Sequence, residues 1–296
     1  MDDLTNSWNK LSLSEREGGE FEFQAQHKSQ EFSIVAKFFT PRILNVEAVA
    51  RTFNPIWRSK NGFQVQTLGD HRMLFIFDNK VDVDKVLHNE PWSYDKHVVI
   101  LQFYNKTLLL RDLAFTESLF WVQVHDIPIS YMNQTTAEKL CSVIGEVIQM
   151  PGGPTMGGQG FMRVSVRVDV IQPLCHGRVV TLETGKQSWV VFRYEWLPNL
   201  CYWCGCLDHP DKDCKEWIHS NGTLKIKDRK YDSSIRALPF YSSNKNIVCV
   251  PGYFESQKQK LKEKQGRSQE FVHGGANSKV EIDDDEYHYC MDSLYF

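Results

Sequence analysis

Between positions 201 and 214 the sequence reads Cys-Tyr-Trp-Cys-Gly-Cys-Leu-Asp-His-Pro-Asp-Lys-Asp-Cys, which sets three thiols and an imidazole at the spacing C-x2-C-x4-H-x4-C. A loop this short has no hydrophobic core of its own, so one shape persists only if something ties its ends together. Zinc does so with four nitrogen or sulfur ligands at tetrahedral corners, and a closed Cys₃His set marks a structural site. The two-residue gap lets Cys201 and Cys204 clasp one ion from a tight turn, Gly205 eases the backbone beyond it, and His209 and Cys214 close the loop. Cys206 follows Cys204 by only two positions and reads as a bystander. The expectation is one structural Zn²⁺, held by Cys201, Cys204, His209 and Cys214, whose binding and loop folding are a single event. Four protein ligands leave no position for an activated water, which disfavours metal-assisted hydrolysis.

The rest of the chain must supply a scaffold. It has 296 residues, 42% of them hydrophobic, enough for two small domains with real cores. No apolar run reaches the roughly 20 residues of a membrane helix. Met1 to Glu22 is acidic and lacks a basic-then-apolar signal, so the expectation is an intracellular protein whose eight cysteines are thiols or metal ligands, not a disulfide frame. A net charge of -3 speaks against one large basic surface, but charge is segregated: Lys258 to Arg267 is basic and favours the nucleus, while Glu281 to Glu286 is acidic.

Periodicity predicts the elements. Phe32 to Phe39 is a strand; Asn45 caps a helix with apolar face Val46, Val49, Ala50 and Phe53, ended by Pro55. Phe63 to Leu68 and Met73 to Phe77 form a hairpin about Gly69-Asp70, Val83 to Leu87 a short helix stopped by Pro91, and Val98 to Tyr104 a buried strand. This β-α-β-β-α-β order is the split βαβ arrangement that RNA-recognition modules use. A second segment follows: a strand at Phe120 to Val124, a helix opened by a Thr135/Glu138 capping box and stopped at Gly145, a flexible loop from Pro151 to Gly160, a strand from Val164 to Val170, and a hairpin of Arg178 to Leu182 with Trp189 to Trp196. The chain therefore reads as α+β: an acidic N-terminal tail (1–30), an RRM-like α/β domain (31–112), a second small αβ segment (113–197), a CCHC zinc knuckle (198–217) and a largely disordered tail (218–296).

The knuckle spacing is that of the retroviral-type zinc knuckle, which binds single-stranded nucleic acid. In that family aromatics stack on unpaired bases and basic residues hold phosphates, roles that Tyr202, Trp203 and Trp217, and Lys212 and Lys215, match by position. Two departures weaken the grip: Asp208 stands where glycine is usual, and four acids (Asp208, Asp211, Asp213, Glu216) face two lysines. The likeness is wider than the knuckle. Phe32 to Tyr104 with Trp57 and Glu90-Pro-Trp92, then Phe120-Trp-Val-Gln-Val-His-Asp-Ile-Pro128 and Trp196-Leu-Pro-Asn-Leu-Cys-Tyr-Trp-Cys-Gly205, resemble a plant family that carries a domain of unknown function, numbered four-two-eight-three, ahead of a zinc knuckle. Its members resemble the gag-like nucleic-acid-binding proteins of non-LTR retrotransposons. The resemblance implies single-stranded RNA or DNA as partner and no catalytic residues.

Phe75 and Phe77 share a strand face, but without the Gly-aromatic ribonucleoprotein pattern they read as core rings. Arg163 and Arg167 suit phosphate contact or a solvated face equally. Gly152 to Gly160 lacks the Gly-Lys-Ser/Thr ending of a P-loop, no nucleophile elbow or H-E-x-x-H pair is present, and Asp283-Asp-Asp285 lies in a polar tail. The expected function is non-enzymatic, zinc-dependent binding of single-stranded nucleic acid, without membrane or small-molecule substrate. The rival is a protein-interaction or self-assembly adaptor in which the knuckle is a clip.

Overall fold

The structure is a computed structural model and describes residues 31–106, 108–149, 156–157, 160–238 and 240. It is a mixed α/β fold with two antiparallel sheets. The first contains β1 (Phe32–Phe38), helix α1 (Val46–Trp57), β2 (Gln64–Gly69), β3 (Arg72–Phe77), helix α2 (Lys80–His88), β4 (Trp92–Tyr94) and β5 (His97–Tyr104), with strand order β2-β3-β1-β5-β4. The second contains β6 (Glu117–His125), helix α3 (Gln134–Cys141), β7 (Gly145–Val147), β8 (Met156–Gly157), β9 (Phe161–Asp169), β10 (Gly177–Thr181) and β11 (Gln187–Tyr194). Its order is β10-β11-β6-β9-β7, with β8 paired to β9.

Alternation along β5 explains how the two sheets share material. Val99 and Leu101 join the core built from Ile34, Phe38, Phe53, Trp57 and Phe75, whereas Val98 and Ile100 join the core of the second sheet with Phe120, Val166 and Phe192. Successive side chains of a strand point to opposite faces, so a continuous apolar run is what a strand between two cores requires. Phe75 and Phe77 are buried in the first core, as read. The first sheet's other face is thus partly covered at β5 by the second unit. Glu90 adds a polar tie across this seam, accepting hydrogen bonds from the Leu119 backbone N–H (3.0 Å) and the Ser118 hydroxyl (3.5 Å).

Several expectations need correction. Helix α1 does not end at Pro55 but runs to Trp57 and closes on Arg58 in the left-handed conformation, whose N–H reaches the Asn54 carbonyl. Burial of Trp57, stacked on Phe53 at 4.5 Å, holds the extra turn despite the donor that proline lacks. Helix α3 is capped by Asn133, which accepts from the Thr136 N–H, not by Thr135, and it ends at Cys141. Gly145 instead opens β7, where its backbone approaches β9 so closely that a Cβ would lie 2.0 Å from the Arg167 carbonyl oxygen. The segment 113–197, read as a second small αβ segment, holds helix α3 and all six strands of the second sheet, β7 and β8 being additional to those expected. Nor does the folded chain stop at Trp217: Tyr231 and Ile235 are buried in the second core, Tyr194 and Arg236 form a β-bridge, and Gln123 Nε2 donates to the Leu238 carbonyl. The N-terminal tail, most of the glycine-rich loop, Lys258 to Arg267 and Glu281 to Glu286 lie outside the described residues.

Candidate metal centre

The chain leaves β11 through Leu197-Pro-Asn-Leu200 and turns sharply into the cysteine loop. The turn is closed by backbone hydrogen bonds from Gly205 N–H to the Cys201 carbonyl (2.8 Å) and from Cys201 N–H to the Cys206 carbonyl (2.9 Å). Gly205 takes φ +85°, and a Cβ there would lie 2.1 Å from the Tyr231 ring, so glycine is needed for both conformation and space. Two further backbone bonds fasten the loop to the end of β9: Leu174 N–H to the Gly205 carbonyl (3.0 Å) and Leu207 N–H to the Val170 carbonyl (2.9 Å). A 3₁₀ turn at Asp211–Asp213 and the short helix α4 (Lys215–His219) then bring Cys214 back to the first two cysteines.

The result is convergence. One ligand atom from each of Cys201, Cys204, His209 and Cys214 lies within 4.8 Å of all the others. Cys204 Sγ and His209 Nε2 are 3.3 Å apart. A tetrahedral zinc with bonds of about 2.3 Å to sulfur and about 2.0 Å to nitrogen sets that separation at about 3.5 Å, so the donor set fits the ion. Burial pushes the Cys201 thiol up and the Cys204 thiol up to about 12, so a metal that takes both as thiolates must displace their protons. Burial also opposes the Cys214 thiolate, but backbone N–H groups of Trp217 and Glu216 together with His209 outweigh it, and its pKa is lowered. Cys206 stays outside the cluster; its thiol donates to the Ile171 carbonyl at 3.4 Å. These four side chains can hold a zinc ion, which would supply cross-linking of the loop and leave no open position for chemistry.

Asp208, read from sequence only as a departure, has a role here. Its carboxylate lies 2.6 Å from His209 Nδ1 and so turns Nε2 toward the thiols. Burial works against the charged imidazole, but Cys214 and Asp208 outweigh it and raise the His209 pKa. A carboxylate behind a ligating histidine fixes tautomer and ring orientation.

The expected nucleic-acid contacts divide. Trp203 is only 5% exposed and stacks on Trp217 with centroids 4.9 Å apart and planes 12° from parallel. It is thus an internal prop, not an exposed base platform. Tyr202 and Trp217 are half-buried, while Lys212 and Lys215 are exposed. Arg163 is not available for phosphate: it pairs bidentately with the fully buried Glu195 (2.7 Å) and lies 3.8 Å above the Trp121 ring. Arg167 sits 4.0 Å from Glu146. Sequence reading missed Arg229, which pairs with Asp211 at 2.8 Å and places its guanidinium 5.0 Å from the Trp203 ring centroid. No motif marks it; only the return of the chain over the knuckle does.

Comparison with known proteins agrees with this geometry. Residues 26–109 match the model of a domain of unknown function (DUF4283), and residues 168–216 match a zinc knuckle model. The second match begins in β9, the strand to which the loop is fastened. Neither is an enzyme family. An uncharacterized protein of Arabidopsis thaliana is 25% identical over 135 residues, which cover 45% of this chain and 42% of that protein. The match therefore spans less than half the length of the curated relative. From these matches and the converged ligand set, the chain carries a DUF4283 domain followed by a CCHC zinc knuckle.

Proposed function

We propose that this protein binds single-stranded nucleic acid, RNA or DNA, through a knuckle held by one structural zinc ion, without catalysing a reaction, in the manner of gag-like proteins of retrotransposons. The observation that carries the reading is the convergence of three thiols and one imidazole, oriented by Asp208, in a loop bearing half-buried aromatic rings and exposed lysines. Zinc knuckles commonly bind unpaired nucleic acid through such residues. Tyr202 and Trp217 are the stacking candidates, with Lys212 and Lys215 on phosphates, and Trp203 supports Trp217 from behind. The first sheet is assigned a scaffold role: Phe75 and Phe77 are buried in its core and Val98 and Ile100 of β5 pack into the second core, which leaves Phe103, 49% exposed near the end of β5, as the exposed ring of that strand.

The test is a gel shift with single-stranded oligonucleotides, with and without a zinc chelator, beside the Cys204→Ser variant. Binding lost in both treatments supports the reading; binding indifferent to both refutes the knuckle's role. A second reading, a protein-interaction or self-assembly adaptor, is favoured by one observation: edge strand β10 and its neighbour β11 expose Val179 (55%) and Trp189 (47%) as a cross-strand pair. Concentration-dependent sedimentation abolished by Trp189→Lys would support that role.

A further inference from the structure

The knuckle taken alone is acidic, a poor beginning for a phosphate-binding surface. The fold supplies what the loop lacks. After α4 the chain turns at Gly222 and returns over the knuckle as Leu224-Lys-Ile-Lys-Asp-Arg-Lys230, a stretch with four cations and one acid. Tyr231 anchors it, bonding through its N–H to the Tyr202 carbonyl (3.1 Å) and through its hydroxyl to the Leu174 carbonyl (2.7 Å). Between this stretch and the knuckle lies an open cleft of about 680 Å³, lined by the apolar Trp203, Trp217, Leu224 and Ile226, by the cations Lys212, Lys225, Lys227 and Arg229, and by Asp211.

The cations of the cleft are not equivalent. Arg229 is spent on Asp211, and Lys230, just beyond, on Glu216. Those two pairs neutralise two of the knuckle's acids. Lys212, Lys225 and Lys227 are exposed, and among the described residues none of the ion pairs takes their ammonium groups; the Asp228 carboxylate nearby accepts instead from the Lys225 backbone N–H at 2.8 Å. Ile226, between two of them, is 76% exposed. Exposed ammonium groups beside indole rings, along an open groove, suit an anion that carries a flat ring. An unpaired nucleotide within a phosphodiester chain is such a group: phosphates go to the lysines and the base to Trp217 and Ile226. An acidic peptide would satisfy the lysines but leave the indole rings unused.

We propose that residues 224–230, which lie outside the matched knuckle, form with Trp217 and Lys212 a second wall that takes one nucleotide of a single-stranded nucleic acid. This rests on the nucleic-acid-binding reading and assigns its phosphate contacts largely to this returning segment. The test uses the full, zinc-loaded chain and short labelled oligouridylate and oligodeoxythymidylate, with anisotropy followed across a salt series. Lys225→Gln with Lys227→Gln is expected to lower affinity about tenfold or more at low salt and to reduce the slope of log K against log salt by about 1.4, the release from two single-strand phosphates. Zinc content should stay unchanged. Ile226→Ala is expected to weaken binding with the slope unaltered. If the double lysine variant binds as wild type while Cys204→Ser does not bind, the cleft assignment is overturned and the knuckle reading stands. If wild type binds neither oligonucleotide, both fall. If polyglutamate displaces the oligonucleotides as well, charge for charge, as unlabelled oligonucleotide does, an acidic-protein site replaces the assignment.

Discussion

Glu90 sits in the seam between the two sheets, 6% exposed, and burial is the largest influence on it. The Leu119 N–H, the charge of Arg167 and the Ser118 hydroxyl favour the carboxylate but do not offset the lost solvation, and its pKa rises from 4.5 to about 7. The native state therefore holds this proton more tightly than the unfolded chain does. Folding stability contributed by the neutral acid is complete below pH 4.5, falls as pH rises, and is lost once pH passes about 7. A shift of this size corresponds to about 3 kcal/mol, a large share of a domain's stability. Glu90→Gln keeps an acceptor for the Leu119 N–H without the ionisation. Urea unfolding of the two proteins, with saturating zinc and tryptophan fluorescence as the signal, isolates the effect because other titrations cancel in the difference. Taking the two as equal at acid pH below 4, the variant should exceed wild type by about 1 kcal/mol near pH 5 and by about 3 kcal/mol near pH 8. A difference that stays within about 0.5 kcal/mol across that range would refute the claim that Glu90 is buried at a desolvated seam.

Removing zinc should release more than the loop: amides fastened to it, such as those of Leu174, Leu207 and Tyr231, should lose hydrogen-exchange protection while the strands of the first sheet keep theirs. Uniform loss or uniform retention would contradict the proposed attachment. Asp208→Ala removes the carboxylate behind His209 and is expected to lower zinc affinity about 10- to 100-fold, read by competition with a chromophoric chelator. Gly205→Ala forces a methyl group into the Tyr231 ring in a left-handed backbone conformation, and its cost in thermal stability should be smaller in a Tyr231→Ala background than in wild type, a coupling that independent effects would not give. Arg163→Met leaves Glu195 charged without its partner in a site with no solvent access and should cost about 3–5 kcal/mol, whereas Arg167→Met, at a pair largely in water, should cost under about 1 kcal/mol.

What could be read from sequence was what is encoded locally. The metal ligands fall within fourteen positions, and their spacing alone dictates that one ion can reach all four. The longer strands announce themselves by alternation or, at β1 and β5, by a continuous apolar run, and Asn45 by its place before an apolar helical face, whereas the short strands β4, β7 and β8 carry no such pattern. What escaped was set by distant partners. Pro55 looks like a stop until Trp57 is seen to be buried beyond it, and Trp203 looks like a base platform until Trp217 covers it. The polar composition after Trp217 suggested an unfolded tail, because two anchors, Tyr231 and Ile235, are too sparse to make a periodic pattern. That omission distorted the functional reading most. Charge summed over residues 201–217 makes the knuckle acidic, but a ligand meets surfaces, not windows of sequence. Once residues 224–230 lie against the loop, Arg229 and Lys230 neutralise Asp211 and Glu216, and Lys212, Lys225 and Lys227 remain for a polyanion. The charge around the knuckle is thus a property of the tertiary fold: six cations and five acids over residues 201–230 replace the acidic balance of residues 201–217 alone.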